Sequence, residues 1–435
     1  MIKVFKEEGK MIIKNGQVVL FENEDVVIKN KDIKIENGMI TKLNDNIENE
    51  NDEIIDAKGN IVMPGLINTH SHIAMSIFRG TFEGCNLYTW LHEKVWPIED
   101  NLTKSQIYNA SKLSFLEMIS TGTTCVNDQY FMPEETRKAA EEMKMRAVLT
   151  RPLMDLGSEE MLKMRIEEFE MFYSSRNKEN DLISYTVSPH GLYTCSDKCL
   201  EEARNLAKKY NLPIHTHFLE SIDEIEDIRK IHSMDAIDVL EKYFKDCQLI
   251  LAHCVKANDK VIEGLKNLNC GIAHNPVSNL RLGCKIADVT KYLRNNINVG
   301  IGTDGQGSGN NLDMFEAMKI ACLLQGGIHE NEDRITSKEA IKMATIYGAK
   351  VLGLDKRIGS IEIGKDADLI IVDIEPKLDN ITKLPNNDLI SNLVYNTSGR
   401  DVLTTIVKGK VLMKDRNILI TDENEIINEY KQRML

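Results

Sequence analysis

The feature that most constrains the fold is the alternation of short apolar runs with longer, charged stretches of helical period. Apolar runs recur eight times, at residues 61–66, 123–126, 146–150, 182–187, 213–216, 249–252, 271–273 and 298–301. Such an eightfold alternation of strand and helix is typical of an α/β fold, the (β/α)8 TIM-like barrel, although a doubly wound open sheet alternates in the same way. Because the glycine-rich nucleotide-binding turn of the open sheet is missing, we predict the barrel.

The two ends of the chain have a different pattern, with short segments rich in β-branched residues. These segments lie at residues 10–21, 25–35, 39–43, 368–373 and 402–411. Asn15-Gly16 and Asn37-Gly38 are strong hairpin signals in the N-terminal group. We predict a small β-sandwich domain formed by both termini, residues 1–62 and 356–435, with a C-terminal helix, around a barrel of residues 63–355.

Composition limits the classes of partner. The chain of 435 residues has a formal net charge of −13, which argues against general nucleic-acid binding, since phosphate contacts need clustered Lys and Arg. It has no uncharged apolar run of about 18 residues, and its first ten residues lack a signal peptide's apolar segment. Nine cysteines without a CxxC pair are typical of a reducing compartment. We predict a cytoplasmic protein that binds a small molecule and neither nucleic acid nor membrane; a homo-oligomer is compatible with the sequence.

Histidines cluster where the predicted strands end, which is where barrel enzymes place their chemistry. Seven of the ten histidines lie there: His70, His72, His190, His215, His217, His253 and His274. Other polar residues at or just beyond strand ends are Asp128, Arg151, Glu220 and Asp304. Histidines in solvated loops would be scattered along the chain, so this distribution predicts a functional site.

The pair His70 and His72 is the first indication of a metal site. Residues two apart on a strand face the same side, so both imidazoles can bind one ion. A third histidine and Asp304, from other strand ends, complete a set of three imidazoles and a carboxylate. We predict one divalent ion, Zn²⁺ by preference, with Fe²⁺ and Mn²⁺ as alternatives.

The third histidine comes from the predicted strand that carries both His215 and His217. These residues share a face of the strand, so spacing alone leaves the choice between them open. Glu220 lies three residues beyond His217, where a carboxylate can transfer protons near the ion. We therefore predict His217 as the ligand and His215 as a supporting or packing residue.

Several segments together resemble the amidohydrolase superfamily. Residues 64–72 resemble its first-strand signature, and residues 359–369 resemble the segment where its chain returns to an accessory β domain. His217 with Glu220, His253 and Thr303-Asp304 are similar to its later signatures. The resemblance covers essentially the whole chain and implies a metal-dependent hydrolase.

Finer features resemble one branch of that superfamily. Two-metal members carry a bridging lysine at the end of the fourth strand, where this chain has Ser188-Pro189-His190. The loop with Trp90-Leu91 and residues 96–99 resembles the substrate loop of the 5-methylthioadenosine/S-adenosylhomocysteine deaminases. This resemblance implies a one-metal enzyme that hydrolyses the adenine 6-amino group of these nucleosides, giving the inosine derivative and ammonia. The HxE and PCxxC motifs of the separate cytidine-deaminase fold are absent.

The resemblance also implies residue roles. As catalytic residues we predict Asp304, which accepts a proton from the attacking water, His253, which orients that water, and Glu220, which protonates ring N1. The predicted substrate-binding residues are Glu99, Arg151, His190, Glu220 and Asp304. Glu99 would accept hydrogen bonds from the ribose hydroxyls, and Arg151 would clamp a carboxylate or another polar group.

Alternatives stay open for several of these residues. Glu220 is compatible with a solvated surface carboxylate, Arg151 with a salt bridge at the root of a loop, and His190 with a ligand of a second metal. Trp90 and Trp96 either wall the pocket or pack their own loop.

For the whole protein, two other functions are compatible with the fold. One is a deaminase or dechlorinase of another nitrogen heterocycle, such as guanine, adenosine or an s-triazine. The other is a non-catalytic scaffold, although such proteins lose metal ligands and all four candidates are present here.

Overall fold

The structure is a computed structural model that describes residues 9–49, 52–330, 334–374 and 388–434. No helix in this part of the chain combines the length and the apolar character needed to cross a membrane. Most of the first ten residues, where the sequence predicts no signal peptide, lie outside the described residues.

Strands of one sheet lie near both ends of the chain, strands and helices alternate between them, and a C-terminal helix follows the last strand. Strands β1 to β19 are, in chain order, Met11–Glu22, Asp25–Glu36, Met39–Asn44, Glu53–Asp56, Ile61–Pro64, Leu66–Ser71, Thr123–Asp128, Arg146–Leu149, Pro152–Leu153, Ile183–Tyr185, Ser188–Pro189, Ile214–Phe218, Leu249–His253, Cys270–His274, Asn298–Ile301, Leu369–Val372, Val402–Val407, Lys410–Lys414 and Asn417–Ile418. Helices α1 to α17 are Leu87–Thr89, Trp96–Glu99, Lys104–Thr121, Pro133–Glu142, Glu159–Ser174, Asp197–Tyr210, Ile222–His232, Ala236–Phe244, Asp259–Leu265, Pro276–Arg281, Val289–Arg294, Gln306–Gly309, Met314–Ile328, Ser337–Ala344, Ile346–Leu352, Leu389–Tyr395 and Glu423–Met434. Short 3₁₀ helices at Ile73–Phe78, Leu192–Thr194 and Gly399–Asp401 and a π-helix at Trp90–Val95 complete the described elements.

Both ends of the chain contribute strands to one sheet, as the sequence predicts. Its order is β19-β18-β17-β16-β5-β1-β2-β3, and β4 pairs with β1. The junction is β5, which pairs in parallel with β1 and antiparallel with β16. Buried aliphatic side chains from both ends pack together on this sheet, among them Ile13, Ile33, Val62, Ile371 and Ile406. Hydrophobic burial therefore joins segments that lie far apart in the sequence.

The two Asn-Gly pairs have different structures. Asn37-Gly38 forms the predicted turn between β2 and β3, with both residues at positive φ (52° and 77°). The hairpin predicted at Asn15-Gly16 is wrong, because this pair lies inside β1, where the pairing with β2 shifts register in a β-bulge. Asn15 has the positive φ that such a bulge requires, and the real turn is Asn23-Glu24, where φ is 49° and 65°.

The central strands form two parallel sheets of four, β10-β8-β7-β6 and β12-β13-β14-β15, and a parallel pair, β11-β9, with helices between successive strands. Several contacts connect the two larger sheets, among them a parallel bridge between Val187 and Ile214 and the hydrogen bond from the Asp304 N–H to the carbonyl of His70 at 3.0 Å. The mixed α/β fold with parallel strands is therefore confirmed, and the C-terminal ends of both sheets meet.

The predicted first apolar run, residues 61–66, belongs to two different sheets. Residues 61–64 are β5 of the terminal sheet, whereas β6 pairs with β7 as the first central strand. Gly65 separates the two strands, and a Cβ atom there would lie 2.1 Å from Oγ1 of Thr124. Only glycine allows the chain to pass so close to the neighbouring strand.

One buried ion-pair cluster fastens the central strands to the terminal sheet. Arg146 on β8 donates to Asp368 from Nε (2.8 Å) and to Asp366 from Nη2 (2.9 Å). The three side chains are almost fully buried. Both aspartates lie in residues 359–369, which explains why this segment needs a carboxylate at these positions.

We expect Arg146→Met to lower the free energy of unfolding by about 3–5 kcal/mol, because it leaves the buried Asp368 carboxylate without its cation, whereas Asp366 keeps its ion pair with Arg357. The control is Arg229→Met, which removes an arginine that is 59% exposed and pairs with Asp235; its effect should stay below about 1 kcal/mol. Urea unfolding followed by circular dichroism measures both. Equal shifts in the two variants would contradict a structural role for the cluster.

Candidate active site

The histidines predicted at strand ends converge at one place. His70 lies on β6, His215 and His217 on β12, and His253 ends β13. The rings of His72, His215, His217 and His253 each have their centroid between 4.9 and 5.3 Å from that of His70. His274 on β14 is also buried, but neither of its ring nitrogens has a hydrogen-bond partner among the described residues.

The four predicted metal ligands point their ligand atoms at one another. Oδ1 of Asp304 lies 3.1 Å from Nε2 of His72 and 3.4 Å from Nε2 of His70. Nε2 of His217 lies 3.4 Å from Nε2 of His72. These separations are those expected between atoms that bind the same ion. We refer to His70, His72, His217 and Asp304 as the acceptor cluster.

Backbone carbonyls set the tautomers of two of these histidines. Nδ1 of His72 donates to the carbonyl of Gln129 at 2.6 Å, and Nδ1 of His217 donates to the carbonyl of His190 at 2.7 Å. A carbonyl only accepts, so the proton of each neutral ring is on Nδ1 and the lone pair is on Nε2. Metal-binding histidines have this arrangement, in which the second ring nitrogen donates to a carbonyl or carboxylate.

His215 lies behind His70 and outside the acceptor cluster. Its Nε2 is 2.9 Å from Nδ1 of His70, and its Nδ1 is 3.3 Å from the Asn127 amide. It is thus placed to fix the orientation of the His70 ring, the supporting role that the sequence analysis predicts for it.

The acceptor cluster fits a divalent cation. Nε2 of His70 and Oδ1 of Asp304 are buried and have no hydrogen-bond partner within the described parts of the chain. The other oxygen of Asp304 accepts from the Ser278 and Ser308 hydroxyls at 2.6 and 2.7 Å. Burial lowers the pKa of His217 well below its ordinary value. Burial acts the same way on His72, but the charge of Asp304 outweighs it and raises that pKa to about 9, so the carboxylate favours positive charge at this place, which a cation can supply instead of a proton. Converging buried acceptors of this kind repel one another unless positive charge lies between them.

Glu220 and His253 lie next to the acceptor cluster. A ring nitrogen of His253 is within 4.8 Å of ring nitrogens of His70 and His217, and Nδ1 of His253 is 3.5 Å from Glu220. The Asn279 side-chain oxygen accepts from that Nδ1 at 2.8 Å. Glu220 is buried, so it is not a solvated surface carboxylate, and burial raises its pKa. A buried carboxyl group whose pKa is raised is suited to act as a general acid.

The backbone around these groups is strained. Leu219, His253 and Asp304 have φ of 53°, 76° and 58°, a region that non-glycine residues rarely adopt and that is common at active sites. Glu224 stabilises the first of these turns, since its two carboxylate oxygens accept from the Leu219 and Glu220 N–H groups, both at 2.7 Å. The sequence analysis missed Glu224, because an acidic residue in the first turn of a helix is usual for capping alone.

A cavity opens beside the acceptor cluster, with about 570 Å³ of empty space when its open mouth is included. Trp90 and Trp96 both line it, which decides between the two interpretations of these residues. Its described lining consists of His72, Met75, Leu87, Trp90, Leu91, Trp96, Glu99, Gln129, Tyr130, Phe131, Pro152, His190, Tyr193, His217, Glu220, His253, Leu282 and Asp304. Such a mixture of apolar walls and a few polar groups is typical of small-molecule pockets.

Two predicted substrate contacts, Glu99 and His190, lie in this wall. Glu99 accepts from the Tyr130 hydroxyl at 2.5 Å, and burial raises its pKa to about 7. Nδ1 of His190 is 3.1 Å from the Thr194 hydroxyl, whose own proton goes to the carbonyl of Gly191 at 3.0 Å. Nδ1 therefore donates, and Nε2 of His190 is an acceptor. Two groups of described residues have the spacing of metal ligands, and His190 belongs to neither of them.

Arg151 is held outside the pocket. Its Nε and Nη2 lie 3.0 and 2.8 Å from Glu168, and its Nη1 donates to the carbonyl of Pro152 at 3.3 Å. It does not line the cavity. Arg151 therefore forms the salt bridge at a loop root that the sequence leaves open, and its predicted clamp on a substrate stays a prediction. The physical reason is that a guanidinium this deeply buried requires a counter-charge, which Glu168 supplies.

Comparison with known proteins agrees with this geometry. The 5′-deoxyadenosine deaminase of Methanobrevibacter smithii is 40% identical over 382 residues, which are 87% of each chain. The 5-methylthioadenosine/S-adenosylhomocysteine deaminase of Thermoanaerobacter pseudethanolicus is 38% identical over 382 residues, 87% of this chain and 88% of the relative.

A solved structure and a family model extend the comparison to almost the full length. The adenosine deaminase of Xanthomonas campestris with bound zinc superposes with a TM-score of 0.90 at 26% identity, covering 99% of this chain and 98% of that one. The model of the amidohydrolase family matches residues 61–412. The matched residues include every member of the acceptor cluster together with Glu220 and His253. The chain therefore belongs to the amidohydrolase family.

Proposed function

We propose that this chain is a metal-dependent aminohydrolase of adenosine derivatives. It replaces the 6-amino group of 5′-methylthioadenosine and/or S-adenosylhomocysteine by oxygen, giving the inosine derivative and ammonia. The observation that carries the proposal is the buried Glu220 carboxyl group beside the acceptor cluster, in a cavity that also contains Glu99. The names of the two relatives, both deaminases of 5′-modified adenosines, support this substrate class.

The proposed ligands of the ion are His70, His72, His217 and Asp304. Three neutral imidazoles and one carboxylate favour Zn²⁺ over the harder Mg²⁺ and Ca²⁺, and the zinc in the Xanthomonas campestris structure supports this choice. When bound, the ion lowers the pKa of a coordinated water towards 7 and so supplies a nucleophile at neutral pH.

Two side chains prepare the attacking water. Asp304 accepts its proton, and the Ser278 and Ser308 hydroxyls hold the carboxylate in position through Oδ2. His253, whose Nδ1 donates to Asn279, holds the water in line with C6 of the adenine ring. The new bond joins the water oxygen to C6, and the electron pair of the C6=N1 bond moves to N1.

Glu220 moves the remaining protons. Its carboxyl group protonates N1 as the oxygen adds, so that no negative charge builds up on N1 when the ring accepts the electron pair. The proton taken up by Asp304 then passes to the 6-amino nitrogen, the C6–N bond breaks, and ammonia leaves. As the C6 hydroxyl becomes a carbonyl, its proton returns to Glu220, directly or through solvent, N1 keeps its hydrogen, and the ring is left as the keto form of the inosine derivative.

Substrate recognition follows from the rest of the cavity wall. Glu99 accepts hydrogen bonds from the ribose hydroxyls, and Nε2 of His190 accepts one from a donor on the substrate. Trp90 and Trp96 provide apolar surface for the nucleoside and its 5′ substituent. Arg151 has no role in this scheme, because Glu168 holds it.

We also propose the finer features of the fold and location. The contacts at Val187–Ile214 and Asp304–His70 support closure of the parallel strands into a (β/α)8 barrel. The nine-stranded sheet that both ends of the chain build supports a shared terminal β domain, for which we propose a sandwich. The domains are residues 1–62 and 356–435 for the sandwich and 63–355 for the barrel. Nine free cysteines support the cytoplasm as the location.

A screen of ammonia release tests the proposed function. We expect the purified, zinc-loaded protein to release ammonia from methylthioadenosine or S-adenosylhomocysteine with a higher kcat/KM than from adenosine or guanine. The reason is that Glu99 selects a nucleoside and the apolar wall selects a 5′ substituent. Release from guanine alone, or chloride release from an s-triazine, would contradict the substrate assignment.

His217→Ala should lower the metal content of the purified protein well below one ion per chain, because it removes one of four ligands. His329→Ala is the matched control, since His329 lies outside the cavity lining and pairs with Asp288 at 2.9 Å. Elemental analysis by mass spectrometry measures both. A wild-type protein that binds no metal and stays inactive with added zinc or iron would instead support a non-catalytic scaffold.

Glu220→Gln should keep the metal and lower kcat by about 10²–10⁴-fold, the usual contribution of a general acid or base. The amide preserves shape and cannot transfer the proton to N1. Glu226→Gln, at an exposed position on helix α7, which begins two residues after Glu220, serves as the control. Steady-state kinetics together with metal analysis measure the effect, and near-normal turnover by Glu220→Gln would refute the proton-transfer role.

A further inference from the structure

The Glu99 carboxylate lies in the cavity wall without a cationic partner. Besides Glu220 and Asp304, it is the remaining carboxylate of the described lining. Glu99 is 9% exposed, and in the described part of the chain no Lys or Arg forms an ion pair with it. A buried carboxylate without a counter-ion needs hydrogen-bond donors to stay ionised.

The Tyr130 hydroxyl is such a donor. It donates to Oε1 of Glu99 at 2.5 Å, and no second donor to this carboxylate is found among the described residues. The bond favours the ionised form and so opposes the effect of burial, which raises the pKa of Glu99 to about 7. An ionised carboxylate has about four lone-pair positions on its two oxygens, so Oε2 can still accept hydrogen bonds from a ligand in the cavity.

Tyr130 itself is fixed relative to the acceptor cluster. It follows strand β7, and the preceding residue, Gln129, is bonded on both sides of its peptide to the segment that carries His72. The Gln129 N–H donates to the carbonyl of Ser71 at 3.0 Å, and the Gln129 carbonyl accepts from Nδ1 of His72 at 2.6 Å. The Tyr130 ring is 2% exposed, and its centroid lies 6.2 Å from that of the His72 ring.

Glu99, by contrast, belongs to a long connection. Residues 79–103 join the 3₁₀ helix at Ile73–Phe78 to helix α3, and they contain only the short helices α1 and α2 and the π-helix between them. Long connections are ordinarily more mobile than the strands and helices that they join. The bond from Tyr130 therefore ties the carboxylate of this connection to a residue whose place is set by strand β7 and His72.

We propose that Tyr130 is a positioning residue of the deaminase, because its hydroxyl holds the Glu99 carboxylate where Oε2 accepts from the ribose hydroxyls at a fixed distance from the acceptor cluster. The inference rests on the proposed function and adds a residue to it. A nucleoside held at its ribose and at its ring has C6 in place for attack. Loosening the ribose end costs binding and alignment together, since a small misplacement of the reacting atoms slows the chemistry strongly.

The test compares adenosine with 2′,3′-dideoxyadenosine, which lacks both ribose hydroxyls. The hydroxyl ratio is kcat/KM for adenosine divided by kcat/KM for the dideoxy compound, measured by ammonia release from the zinc-loaded protein. We expect a wild-type ratio of about 100 or more, since each hydrogen bond to a charged acceptor is worth about tenfold. Calorimetric binding of both compounds to zinc-loaded Glu220→Gln gives the corresponding ratio of affinities without turnover.

Tyr130→Phe should lower the hydroxyl ratio by about tenfold, because Glu99 loses its position and its donor. Turnover of the dideoxy compound should stay within about twofold of the wild-type rate, since that compound does not use Glu99. It thereby reports whether the variant is folded and its site intact. Tyr108→Phe is the matched control: the Tyr108 hydroxyl also donates to a glutamate, Glu142, but it lies on helix α3 outside the cavity lining, so the ratio should not change.

A double-mutant cycle tests whether Tyr130 acts through Glu99. Glu99→Ala should bring the hydroxyl ratio close to one, and adding Tyr130→Phe to it should change the ratio by less than about twofold. A clear further fall would overturn the inference, because Tyr130 would then contact the ribose itself.

The remaining outcomes separate the inference from the proposed function. If Tyr130→Phe slows both compounds by the same factor, or if the wild-type ratio is close to one, the inference is overturned while the deaminase function stands. If the wild-type protein releases no ammonia from adenosine, methylthioadenosine or S-adenosylhomocysteine, both are overturned together.

Discussion

The structure of the site depends on one electrostatic constraint, the convergence of buried acceptors. Nε2 of His72 and His217 carry lone pairs because Nδ1 of each ring donates to a carbonyl, and Oδ1 of Asp304 points at the same place. A buried polar group without a partner costs about 1–3 kcal/mol, and here several meet. The ion that we propose would turn this cost into binding energy, so metal affinity and the folding of the site are coupled.

The surrounding residues maintain this arrangement against backbone strain. Leu219 and Asp304 are held at positive φ, the first by Glu224 through two N–H groups and the second by hydrogen bonds from two serine hydroxyls to its carboxylate. Such strain persists only where neighbouring contacts over-determine the conformation. The terminal sheet contributes indirectly, because Arg146 ties strand β8 to it through buried aspartates. The site thus lies where strands meet whose positions are fixed by contacts around the site and by the terminal sheet.

Much of the site could be predicted because its signals are local in sequence. Residues two apart on a strand share a face, so His70 and His72 were recognisable as a pair, and the strand-end position of Asp304 placed it with them. Arg151 shows the limit of prediction from sequence. Its partner Glu168 lies on helix α5, and sequence alone does not say with which of many acidic residues a buried arginine pairs. Glu224 was missed for another reason. An acidic residue in the first turn of a helix is common, and in most helices it only caps the helix. At Asn15-Gly16 the local signal itself was ambiguous, because positive φ serves a bulge as well as a hairpin turn.

The central claim is that one cation occupies the acceptor cluster, and anomalous X-ray diffraction at the zinc and iron edges from crystals of the purified protein tests it most directly. The account predicts a single strong peak within bonding distance of Nε2 of His70, His72 and His217 and of the Asp304 carboxylate, with His215 and His190 outside its coordination sphere. A peak bonded to His215 or His190 in place of His217 would contradict this account. Deamination by crystals in which the four side chains bind no metal would contradict it as well.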